Sequence, residues 1–91
     1  MYSEEFWEHL IKLHIEEGRT YKSIAEEFGV HPEQVGRRVR LFRALAERDA
    51  ARSETLSNME EIRRLQEELA EVKKENDFLK KLAAFYAKET Q

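Results

Sequence analysis

Arg37, Arg38, Arg40, Arg43 and Arg48 all fall within GRRVRLFRALAER, residues 36 to 48, where Glu47 is the single acidic residue among them. Guanidinium groups do no proton chemistry at neutral pH. They do present forked N–H donors that match phosphate oxygens and the O6/N7 edge of guanine. The chemistry on offer is therefore recognition of a nucleic acid. Rival chemistries have weaker footing. His9, His14 and His31 do not share a helix face and there is no cysteine, so no metal-ligand set is expected. The many glutamates sit at helical surface spacing, with no phosphate-cradling glycine loop and no nucleophile elbow, so neither a catalytic site nor a cofactor is expected. Glu16, Glu17, Glu26 and Glu27 read as solvating and pairing charges.

The arginines need a rigid element to aim them. Val35, Val39 and Phe42 form an inward stripe, and at 3.6 residues per turn Glu33, Arg37 and Arg40 point the other way. Gln34 and Arg43 complete the expected DNA-facing set on this helix, while Arg38 lies at the flank of the stripe and suits a phosphate contact. Pro32 opens the helix at the position where proline is best tolerated. Before it, TYKSIAEEF follows Gly18, with Thr20 as N-cap and Tyr21, Ile24, Ala25 and Phe28 apolar. The small Ala25 and the turn residue Gly29 give the layout of a helix-turn-helix, in which the second helix enters a major groove. Tyr21, Lys22 and Ser23 would then touch the DNA backbone from the N-terminus of the first. A preceding helix is expected from Ser3 as N-cap and from Phe6, Leu10 and Leu13 at i, i+4, i+7, flanked by Trp7 and Ile11. The bland alternative is a three-helix domain whose arginines form only a solvated face.

Composition bounds the rest. The chain has 91 residues, 38% of them charged, with one proline and no cysteine, which favours an all-α protein in a reducing compartment. A net charge of -3 argues against indiscriminate polyelectrolyte binding, so any DNA contact has to be local. No apolar run is long enough for a membrane span, and the acidic N-terminus is unlike a signal sequence; a soluble, non-secreted protein is expected. So short a chain supports only one small core, and a partner chain is expected to add buried surface.

That partner is written into the last third. Ile62, Leu65, Leu69, Val72, Asn76, Leu79, Ala83 and Tyr86 alternate spacings of three and four, a heptad repeat with Ile62, Leu69, Asn76 and Ala83 at a. A buried Asn76 would bond its twin across a parallel two-fold and penalise other registers. Glu68 and Glu75 at g would face Lys73 and Lys80 at e of the partner. Leu69 at a followed by Val72 at d leans instead towards a trimer or tetramer, and a lone helix folded back on the N-terminal domain is the remaining alternative. Between the two regions, residues 47 to 58 lose the apolar period without a Gly or Pro, which fits either a hinge or a continuous helix. Ser57 and Glu60 have the spacing of a capping box that would open the zipper helix. The domains expected are a helix-turn-helix at 1–46, a connector at 47–58 and an oligomerisation helix at 59–91. Phe78, Leu82 and Phe85 form a second stripe outside the a and d positions, expected to be a partner surface.

YSEEF, EEGRTYKSIAEEFGV and KKENDFLKKLAAFYAKE together resemble the first-frame, OrfA-type subunit of insertion-sequence transposases of the IS-three family. The resemblance spans nearly the whole chain outside the connector. It implies a bacterial, cytoplasmic, nucleoid-associated protein whose helix-turn-helix binds double-stranded DNA at the terminal inverted repeats of the element. It also implies a leucine zipper that multimerises the chain, and association with a longer transposase that carries the catalytic residues in a second frame. Relatives of that type carry an Arg-Arg-Trp-Val pattern in the recognition helix. Here Arg38 stands for the Trp and Gly36 for an Arg, and Gly36 either permits a close approach or merely weakens the helix, by about 1 kcal/mol relative to Ala. The rival functions are a stand-alone dimeric repressor with the same motif and a coiled-coil scaffold without DNA binding.

Overall fold

The starts and stops of the first three helices are built from short-range bonds. In the computed structural model, which describes residues 2 to 89, α1 runs over Glu4–Ile15 and is capped by the Ser3 hydroxyl, which accepts the Phe6 N–H at 3.1 Å. Its first turn holds Glu4 and Glu5, where carboxylates complement the helix dipole. The chain turns at Gly18 in the left-handed region, φ 69°, where a side chain would be strained. α2, Tyr21–Phe28, is capped by Thr20, whose hydroxyl accepts the Ser23 N–H at 3.0 Å. Gly29, φ 70°, ends α2, and the N–H groups of Gly29 and Val30 both donate to the Ala25 carbonyl. α3, Pro32–Ala46, opens after His31, whose backbone N–H donates to the Gln34 side chain at 3.3 Å.

The fourth helix departs from expectation at its start. α4 is one continuous helix over Ala50–Glu89, so most of the 47–58 segment is helical and the break is confined to the turn after α3. Asp49 opens it: its carboxylate accepts the Ala51 N–H at 3.0 Å. Ser57 lies inside the helix and caps nothing. Its hydroxyl and Glu60 had the right spacing, but Asp49 already holds the N-terminal amides, and Leu56 and Met59 are drawn onto the core on either side of Ser57.

The architecture is all-α, four helices among the described residues. Two adjoining clusters make the core. Trp7, Leu10, Ile24 and Val35 knit α1, α2 and α3 together, with Phe6, Leu13, Tyr21, Phe28 and Val30 packed around them. Ile11, Ile15, Val39 and Met59 knit α1 and α3 to the start of α4, with Tyr21, Phe42 and Leu56 alongside. α1 is thus covered on two sides. That is why Trp7 and Ile11, expected only to flank its stripe, are buried, while Phe6 and Leu13 are half-buried.

Beyond Arg63 the described part of α4 leaves the domain. Residues 64 to 89 are all exposed, and the molecule extends 63 Å along its long axis, about what 40 helical residues span at 1.5 Å each. The helix does not fold back on the N-terminal domain, so that alternative is excluded. Intrahelical ion pairs line this projecting rod, notably Arg64 between Glu61 and Glu68. The hydrogen bond from Arg64 holds the Glu61 carboxyl below the usual carboxylate range.

Candidate nucleic-acid interface

The outer side of α3 is held at its back by complete burial of Val35 and Val39. With those two pointing inward, the helical period leaves Gln34, Arg37 and Arg40 exposed. Arg43 is exposed too, but it lies on another flank and lines a shallow groove with His14, Gly18, Glu60 and Arg63. Lys22, at the start of α2, is exposed as well. None of the charged side chains in this set is committed to an ion pair among the described residues, and the Gln34 oxygen accepts the His31 N–H at the cap.

Other members of the expected set are engaged inside the domain. The Arg38 guanidinium lies 4.9 Å from the centre of the Trp7 ring and donates to Glu4 at 3.2 Å. Two contacts thus turn it towards α1 and away from Arg37 and Arg40. The Ser23 hydroxyl accepts from the Arg19 guanidinium at 2.9 Å, and Arg19 is also paired with Glu27. Tyr21 is half-buried, contacts both core clusters and stacks at a tilt on His14, 4.4 Å between ring centres.

Gly36 explains how Tyr21 fits. A Cβ at this position would stand 3.1 Å from the Tyr21 ring and 3.1 Å from the Arg40 guanidinium. The missing side chain leaves room for the Tyr21 ring of α2 against α3, which favours the close-approach reading of this residue. Gly18 serves a different neighbour: the Arg63 guanidinium of α4 occupies the space above it, and Arg63 pairs with Glu67 at 2.8 Å. Arg63 thereby ties α4 to the turn between α1 and α2.

Sequence reasoning missed three contacts. Arg19, Ser23 and Glu27 are spaced four apart, a local signal that was available. The Arg38–Glu4–Trp7 clamp spans 34 residues between Arg38 and Glu4 and leaves no local trace. The Arg63–Gly18 contact is equally remote. The histidines go to separate places: His9 edge-on to Phe28, His14 at the Arg19 carbonyl, His31 at the α3 cap.

The positions expected to form a zipper lie on the projecting part of α4. Leu65, Leu69, Val72, Leu79 and Tyr86 are exposed, as are Asn76 and Ala83, and Ile62 stands at the edge of the domain. Phe78, Leu82 and Phe85 are exposed on another side. No described helix is long and apolar enough to cross a membrane. A family model described as Transposase, of helix-turn-helix type, matches residues 1–84. No curated protein and no solved structure matches the chain.

Proposed function

The chain belongs to the transposase helix-turn-helix family, a DNA-binding family and not a catalytic one, and from that premise we propose that it is the non-catalytic, OrfA-type subunit of an IS-three insertion-sequence transposase. In this reading α3 enters the major groove at the terminal inverted repeats, with Arg37 and Arg40 reading base edges and Gln34 beside them. Lys22 and Arg43 hold the flanking phosphates, and Arg38 is a peripheral phosphate contact reached only at the rim. Tyr21 and Ser23 serve by positioning α2 against α3.

The observation that carries the reading is the pair Arg37 and Arg40, exposed together on a helix whose opposite side is fully buried. A net charge of -3 makes such a local pair necessary for any DNA contact. A helix that leaves Leu65, Leu69, Val72 and Leu79 in water is unstable alone, which supports a parallel dimer through the a and d positions with Asn76 in the seam. A longer transposase carrying the same helix would join through the same seam.

A footprint on DNA that carries the element's ends tests the function. Protection of the terminal inverted repeats, with affinity falling steeply as salt rises, is the expected result. Protection of an operator away from any repeat would establish the repressor instead. No binding to any duplex at low salt would leave only the scaffold.

A further inference from the structure

α4 carries a second line of side chains that the a and d seam leaves uncovered. Lys74, Phe78, Leu82, Phe85 and Glu89 follow at spacings of four, four, three and four residues, so they lie along one face. All five are exposed, the two phenylalanines at 63% and 58%. From 3.6 residues per turn this face sits roughly 110° around the helix from the seam, far enough to be used at the same time.

The order of the line is informative. The midpoint between Phe78 and Phe85 is also the midpoint between Lys74 and Glu89, and it falls between Lys81 and Leu82. One end is positive, the other negative, and the middle is apolar. Such a face is complementary to itself when reversed: a second copy running antiparallel sets Phe78 against Phe85, Leu82 near Leu82, and each Lys74 against a Glu89. A parallel copy would set Lys74 on Lys74 and Glu89 on Glu89. An unrelated partner would need no such symmetry.

We propose that the Lys74–Phe78–Leu82–Phe85–Glu89 face is an isologous, antiparallel docking surface for a second copy of this chain. Where each copy also belongs to a seam dimer, the two-fold along the seam turns the faces of its two helices to opposite sides, so one face from each of two dimers makes a tetramer and a face remains free at either side of it. The tetramer rests on the dimer seam proposed above; the antiparallel pairing itself does not. Geometry sets the consequence for the DNA-binding heads. α4 leaves its domain after Arg63, and from there to the axis and out again is about 55 Å at 1.5 Å per residue, so the heads lie at opposite ends of the rod.

Sedimentation of the full chain over a broad concentration range, with charge-swapped variants, tests this. The wild type is expected to pass from dimer to tetramer and then to larger species as concentration rises. Lys74→Glu and Glu89→Lys, each of which sets like charges against one another at every contact, should raise the tetramer dissociation constant by about tenfold or more. The double variant K74E/E89K restores the pairing in the opposite sense and should recover the wild-type constant to within about threefold. Phe78→Gln with Phe85→Gln should leave dimers of unchanged helicity. A wild type that stays dimeric at every concentration, with a dimer that K74E leaves intact, overturns the proposal, as does a double swap no better than either single one. A two-chain species broken by K74E and rescued by the double swap supports the antiparallel face and overturns the parallel seam.

Discussion

Residues 2 to 63 and residues 64 to 89 use apolar side chains in opposite ways. In the first region Leu10, Ile24, Val35 and Val39 are fully buried against neighbouring helices of the same chain. In the second, Leu69, Val72, Phe78 and Leu79 belong to the same residue classes and are all more than half exposed. The difference lies in what surrounds each stripe. α1, α2 and α3 are joined by short turns that fold their stripes onto one another, whereas α4 runs on without a turn and carries its stripe away from every other helix of the chain. One region is completed by its own sequence; the other, in the proposed function, is completed by another molecule.

The largest expected effect breaks the first region alone. Leu10→Ala removes a fully buried side chain and should cost about 2 to 5 kcal/mol of domain stability in urea unfolding. The same truncation at Leu69 should leave the dilute chain's N-terminal domain unchanged and act instead on the concentration dependence of melting. Equal losses at both sites in dilute protein would erase the contrast between the regions.

Next come the groups that face outward from the first region. Arg37→Ala and Arg40→Ala are each expected to weaken duplex binding by about 1 to 3 kcal/mol with helicity and oligomer state intact. Titrations at several salt concentrations separate the roles: lost base reading relaxes sequence preference, and a lost phosphate contact reduces the salt slope. Unchanged affinity in both variants would remove α3 as the reading helix.

Asn76→Leu probes how the second region is completed. Replacing a polar pair in the seam with apolar contact should raise the melting point by a few degrees, from about 1 kcal/mol, while broadening the distribution of oligomers. A lower melting point with one sharp species in sedimentation would place Asn76 outside a buried seam.

The smallest effect sharpens the boundary of the DNA face. Arg38→Ala loses the Trp7 and Glu4 contacts and should cost below about 1 kcal/mol of stability. Binding should fall less than in the Arg37 variant. A binding loss as large as that of Arg37→Ala would show that Arg38 leaves its clamp to reach DNA.

Much of this was legible in the residues because it is local. Ser3, Thr20 and Gly29 mark helix ends through bonds of three to five residues, and the 3.6-residue period assigns Val35 and Val39 inward and Arg37 and Arg40 outward. The heptad from Ile62 to Tyr86 and the self-complementary order from Lys74 to Glu89 are likewise properties of spacing within one helix. Tertiary structure alone decided what depends on residues far apart in the chain. Ser57 is held inside α4 because Leu56 and Met59 on either side of it reach Ile11, Ile15 and Val39. Gly36 lies directly under the Tyr21 ring, Arg63 fills the space above Gly18, and Arg38 is turned aside by Trp7 and Glu4. Period and capping report which way a side chain points from its own helix; which neighbour it meets there is set by how the helices cross.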